Sequence, residues 1–120
     1  MSDSATDNRP LTADEYQLIR WMLKNGAPDK KQFLTQLEIA SVTPCRCPCG
    51  CASIELSIAG QDKPTGGLQA LEEFMFGTDD NLNGIFVYAK NGVLAGVEVY
   101  GMAGEAARSL PRPEELRSYG

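Results

Sequence analysis

Histidine is absent from this chain, and cysteine is absent outside one seven-residue stretch. The first absence removes the commonest general acid–base group and the imidazole ligand that most metal sites use. No apolar run approaches the roughly 20 residues of a membrane-spanning helix. Basic residues are outnumbered, 11 Lys and Arg against 16 Asp and Glu, for a net charge of -5. A surface for nucleic acid or anionic membrane needs a basic stripe, so both partner classes are disfavoured. The polar, acidic start, Met-Ser-Asp-Ser-Ala-Thr-Asp-Asn, reads unlike a signal peptide. The expected compartment is therefore cytoplasmic and reducing, where thiols stay reduced. With 120 residues, one domain is expected, able to bury a core without disulfide staples.

What is present centres on residues 43–58. Cys45, Cys47, Cys49 and Cys51 stand at every second position, and Ile54, Leu56 and Ile58 then alternate with Ser53, Glu55 and Ser57. On an extended strand alternate residues share a face about 7 Å apart. The cysteines are out of phase with the isoleucines and leucine, so a continuous strand would put them on the polar face. Pro48 and Gly50 argue instead for a bulge or bend between the two sets.

Three readings fit this ladder. The thiols can be small apolar packing residues, as free cysteine often is. They can hold a metal. A Cys₄ zinc site drawn from seven consecutive residues would need its sulfurs to converge to about 4 Å, whereas Cu(I) is served by a single Cys-x-Cys pair. Or they can act in redox chemistry, with Arg46 lowering a neighbouring thiol pKa. Cys-x-Cys closes a disulfide only where the backbone bends.

The first helix is signposted by Thr12 as N-cap, Glu15 as its capping-box partner and Leu11 with Tyr16 as a staple. Leu18, Ile19, Met22 and Leu23 form its apolar stripe, beside Trp21, and Gly26 with Pro28 ends it. A second helix is expected from Asp29, with Gln32 completing a capping box and Phe33, Leu34 and Leu37 buried. From Ile39 the period becomes two. Strands are predicted over residues 39–43, 52–59, 68–76, 85–90 and 93–100. The stretch 68–76 is the ambiguous one: Leu68, Leu71 and Met75 fit a helix, while Ala70, Phe74 and Phe76 fit a strand. Asn91-Gly92 predicts a type I′ hairpin, which would set Tyr88 against Ala95 and Phe86 against Val97. Both faces of that hairpin carry apolar residues. After Gly101 a short helical turn is expected beyond Pro113.

Asp79, Asn81, Asn83 and Gly84 imitate the first half of a calcium loop. The twelfth position is Lys90 rather than glutamate, and strand follows instead of helix, so a hairpin loop is expected. Glu72-Glu73 is a carboxylate pair whose members point apart on a strand. No constellation for hydrolytic catalysis emerges, and the chain is not expected to be an enzyme.

In Cys47-Pro-Cys-Gly-Cys-Ala-Ser-Ile, in the hairpin Gly-Ile-Phe-Val-Tyr-Ala-Lys-Asn-Gly-Val-Leu-Ala-Gly-Val-Glu-Val-Tyr, and in Leu-Pro-Arg-Pro-Glu-Glu-Leu, the chain resembles small bacterial proteins of unknown function. Those proteins carry a Cys-x-Cys-Gly-Cys strand and a hairpin ending in Leu-x-x-Leu-Glu-Val-Tyr; Val97 stands here in place of the second leucine. The resemblance implies a bacterial cytosolic protein with helices followed by sheet, and carries over no functional residue.

The expected fold is α+β: two N-terminal helices packed on an antiparallel sheet of four or five strands. Residues 1–9 are expected as a disordered leader and 10–120 as one domain. The expected function is a non-enzymatic protein-interaction module, immunity- or adaptor-like, whose acidity suits a basic protein partner. The alternative is a thiolate metal binder taking Cu(I) or Zn through Cys45, Cys47, Cys49 and Cys51.

Overall fold

The computed structural model describes residues 8–26, 30–44, 52–62 and 64–118. Its elements run β1 (Arg9–Pro10), α1 (Ala13–Gly26), α2 (Lys30–Leu37), β2 (Ala40–Val42), β3 (Ile54–Ile58), β4 (Leu68–Phe76), β5 (Asn83–Lys90), β6 (Val93–Gly101) and β7 (Arg117–Ser118). The strands form one antiparallel sheet in the order β1-β2-β3-β6-β5-β4-β7. The class is therefore α+β, but the sheet has seven strands rather than four or five. The two extra strands are edge pairs of two residues each, too short to leave a periodic signal in the sequence. Arg9, expected in the leader, pairs with Val42; residues 1–7 lie outside the described residues. Helical structure is also not confined to the N-terminal part: 3₁₀ turns occur at Asp79–Asn81 and, as expected beyond Pro113, at Pro113–Glu115.

α1 begins where its capping box dictates. The Glu15 N–H donates to Thr12 Oγ1 at 3.1 Å, and the Thr12 N–H donates to Glu15 Oε1 at 2.9 Å. Arg9 adds a two-pronged contact to the same carboxylate, at 2.9 and 2.8 Å, tying β1 to the helix start. Leu18, Ile19, Met22 and Leu23 are fully buried. Each contributes roughly 1.5–3 kcal/mol by leaving water. The Trp21 ring packs on Phe74 of β4 with centroids 5.2 Å apart. α2 buries Phe33 and Leu37, as expected; Leu34, expected with them, is only half-buried. The Gln32 amide also donates to the Gly92 carbonyl at 3.1 Å, across to the hairpin turn. Its expected capping partner, Asp29, lies outside the described residues.

Both helices cover the same sheet face. That face is built from Val42, Leu56, Ile58, Leu71, Phe74, Phe76, Ile85, Val87, Ala89, Leu94, Val97 and Val99, which form one continuous core with the helices. The Asn91-Gly92 hairpin is present, with both residues at positive φ, 53° and 79°. The expected register holds only for Lys90 with Val93 and Ala89 with Leu94. A bulge at Ala95 then shifts the pairing by one, so Tyr88 faces Gly96 and Phe86 faces Glu98. Without it, Val97 and Val99 would point away from the helices; the bulge returns them to the face of Val87 and Ile85. A second bulge lies between Ala70 and Glu72 on β4. It puts Leu71 and then Phe74 and Phe76 on the core side, which is why this strand reads as half helical in sequence. The two bulges flank Tyr88 on either side of β5.

Candidate functional site: the outer face of the sheet

The face away from the helices carries three rows across the central strands. One runs Glu55 (β3), Gly96 (β6), Tyr88 (β5), Ala70 (β4). The next runs Glu98, Phe86, Glu73, and the third Tyr100, Gly84, Met75. No α-helix covers this face among the described residues. Phe86, Tyr88 and Tyr100 are half-buried, and their rings cluster: Phe86 lies 6.0 Å from Tyr88 and 6.2 Å from Tyr100, the latter edge-on.

Glycine shapes the surface at two points. A Cβ on Gly84 would collide with the Tyr100 ring, and one on Gly96 would lie 2.6 Å from both the Tyr88 hydroxyl and the Ile54 carbonyl oxygen. The two tyrosine rings therefore lie flat across the glycines of the facing strand, an aromatic cover for residues that have no side chain to pack.

Three carboxylates border the aromatic cluster. Glu73 accepts a hydrogen bond from the Tyr100 hydroxyl. Glu55 accepts one from Thr43 Oγ1 at 2.9 Å. Glu98 is half-buried, and no hydrogen-bond donor or cation of the described residues reaches it. Burial holds its carboxyl above the usual range.

The cysteine ladder, with Cys45, Cys47, Cys49 and Cys51, lies outside the described residues, so its expected metal or redox geometry does too. Its flanks are described. The Thr43 N–H donates to the Glu55 carbonyl at 3.0 Å, and the Ala52 N–H donates to the Ala107 carbonyl at 3.0 Å. The cysteine stretch thus joins two paired antiparallel strands, β2 and β3. No group of three or more Cys, Asp or Glu is placed to hold a metal among the described residues. Beside Ala52 a groove of about 550 Å³ runs between the start of α1 and the C-terminal segment, past Ser53, Arg108 and Arg112. Its arginines are partnered by Glu105, Glu114 and Glu115, and the α1 start is closed by its own capping box.

Of the calcium-loop imitation, Asn83 is 1 % exposed and turned into the fold. Its amide donates to the Asn81 carbonyl at 3.1 Å and its oxygen accepts the Ala107 N–H at 2.8 Å. Glu72 and Glu73 sit opposite Val87 and Phe86 and so point to opposite faces, as expected.

The sequence reading singled out none of Phe86, Glu98 and Tyr100 as a site. The available signal was the hairpin's second apolar face, and the unforeseen bulge hid which residues share it. No helix among the described residues is long and apolar enough to cross a membrane. Comparison with protein-family models, with curated proteins and with solved structures gives no match, so the resemblance to small bacterial proteins rests on the quoted residues alone.

Proposed function

We propose that this chain is a non-enzymatic interaction module that docks a basic protein partner on the outer face of its sheet. One observation carries the reading: a half-buried aromatic cluster, bordered by Glu55, Glu73 and Glu98, occupies the centre of a sheet whose two α-helices among the described residues lie on the other side. Aromatic residues are the side chains that anchor protein interfaces. The bordering carboxylates and the net charge of -5 match a basic surface and would steer its approach. A bacterial cytosolic setting, in an immunity- or adaptor-like role, accords with the sequence resemblance.

The test is affinity capture from the source cell with wild-type protein and with Phe86→Ala and Glu98→Lys, each checked for folding by circular dichroism. A basic protein retained by the wild type and lost from both folded variants supports the reading. Capture indifferent to both substitutions, or a protein that emerges alone, refutes it.

The second reading, thiolate metal binding by Cys45, Cys47, Cys49 and Cys51, draws support from the flanks. Pairing of Thr43 with Glu55 and of Ala52 with Ala107 fixes both ends of the stretch, which lowers the entropy cost of gathering ligands from one short connection.

A further inference from the structure

We propose that the row Glu73–Phe86–Glu98 is a seat for a single arginine side chain of the basic partner; the inference rests on the docking reading above. The geometry starts from the ladder. Phe86 on β5 stands directly between Glu73 on β4 and Glu98 on β6. Neighbouring strands lie about 4.8 Å apart, so the two carboxylates leave the backbone about 10 Å from each other with an aromatic ring between. A guanidinium laid on that ring has a carboxylate at each edge. Its planar, five-donor fork can engage both sides while its face meets the ring. A lysine ammonium is a compact point charge and cannot bridge the two sides while stacking.

The two acids differ in a way that suits this. Glu73 is oriented by the Tyr100 hydroxyl, which donates to one of its two oxygens. Glu98 is half-buried without a donor or cation from the described residues. Its carboxyl is held above the usual range by that burial, so an arriving cation relieves a cost already present in the folded protein. Among the described residues, the polar groups around Glu98 on this face are Glu73, Glu55, the phenols of Tyr88 and Tyr100, and Ser53, next along β3 from the Ile54 that pairs with Val97; none of them is cationic. Among the described residues, Arg117, which pairs with Met75 at the β4 edge, is engaged elsewhere: its guanidinium donates to the Gly77 carbonyl at 3.0 Å. The Tyr88 and Tyr100 rings stand 6.0 and 6.2 Å from the Phe86 ring and wall the seat.

The test is an NMR titration of the full chain with the capped peptide Gly-Arg-Gly, against Gly-Lys-Gly and the neutral isostere Gly-citrulline-Gly, at low ionic strength. The expected result is saturable shifts at the outer-face amides of β4, β5 and β6 with the arginine peptide, weaker ones with lysine and none with citrulline. Glu98→Gln, Glu73→Gln and Phe86→Leu should each weaken arginine binding by roughly two- to fivefold, the range of a partly exposed cation–π or charge-assisted contact. The overlaid spectra of each variant report whether the fold is kept. Equal response to lysine and arginine, or arginine binding untouched by Glu98→Gln and Phe86→Leu in a folded protein, overturns the seat. If the peptide fails while face-dependent capture of a basic protein persists, the arginine seat alone falls. If both fail, the docking reading falls with it.

Discussion

The ring of Tyr100 lies across the α-carbon of Gly84, the residue facing it on the neighbouring strand. Tyr88 lies in the same way across Gly96, which also approaches the backbone carbonyl of Ile54. The two contacts differ in what can yield. At Gly84 a methyl group meets only the far end of a side chain. At Gly96 it meets β3 itself.

Gly96→Ala should therefore destabilise the protein by about 1–3 kcal/mol, the usual cost of overpacking, because β3 must move off β6. Gly84→Ala should cost less than about 1 kcal/mol, with Tyr100 swinging aside and losing its bond to Glu73. Urea denaturation gives both values, and a larger loss at Gly84 would contradict this account.

The hairpin turn is clamped by α2. β3 pairs with β6 only at Ile54 with Val97 and Glu55 with Gly96, so the ladder does not reach Leu94. The Leu94 N–H instead donates to Gln36 Oε1 at 2.6 Å, while the Gln36 amide donates to the Gly92 carbonyl at 3.1 Å. Gln36→Ala leaves a donor unmet on a fully buried residue and should cost about 1–3 kcal/mol. Gln32→Ala removes one exposed bond to the same carbonyl and should cost less. Hydrogen exchange at the Leu94 amide, accelerated in the first variant and nearly unchanged in the second, checks the assignment.

Much of the architecture was legible because local signals and burial agree. Thr12 with Glu15, the Leu18-to-Leu23 stripe and Asn91-Gly92 each carry their own physical signature, and each forms as expected. The register past Leu94 was not legible. A bulge is chosen by the need to bury Val97 and Val99 under the helices, a tertiary demand that no two-residue turn announces. The same concealment hid the candidate site, because placing Phe86 between Glu73 and Glu98 depends on the shifted register. The edge strands Arg9–Pro10 and Arg117–Ser118 were missed for lack of length.

Asn83 anchors the C-terminal segment at the end of β5. Replacing it with alanine removes the acceptor of the part-buried Ala107 N–H and empties a site where Asn83 is 1 % exposed, for an expected loss of about 1–3 kcal/mol. Because Ala107 in turn accepts the Ala52 N–H, the loosened segment should also release the start of β3. Faster proteolysis near Ala107 together with a lower Tm is the expected outcome; unchanged proteolysis would show that other contacts hold the segment.

The pH dependence of stability should have opposing contributions from two glutamates. Arg9 holds the Glu15 carboxyl below its ordinary value. A lowered folded pKa gives stability that is present above the unfolded carboxylate pKa and lost as pH falls through the folded one. Burial raises the Glu98 pKa. A raised folded pKa means that the folded state binds more protons, so this contribution is present below the unfolded value and lost as pH climbs through the folded one. Glu98→Gln should thus raise the Tm at pH 7 while leaving it nearly unchanged at pH 3. Arg9→Ala should lower the Tm at pH 7 and have little effect at pH 3. Melting curves across that range in low salt read both; a Glu98→Gln variant less stable at pH 7 than the wild type would reverse the sign argued here.

The thiolate reading makes a prediction of its own. Thiols bind soft metals as thiolates, so loading Cys45, Cys47, Cys49 and Cys51 with Cu(I) or Zn²⁺ should release protons and weaken as pH falls. Metal bound to the folded chain should also raise its Tm, because the two ends of the stretch are already pinned at Thr43 and Ala52 and the unfolded chain lacks that arrangement. Packing cysteines predict the reverse: no metal, no change in Tm, and thiols that react with a thiol reagent only after unfolding. Elemental analysis of protein purified without chelator, followed by thiol titration before and after denaturation, separates the two. A folded protein that stays metal-free under reducing conditions with excess Cu(I) or Zn²⁺, and exposes its thiols only on denaturation, eliminates the metal reading and leaves the outer sheet face as the working surface.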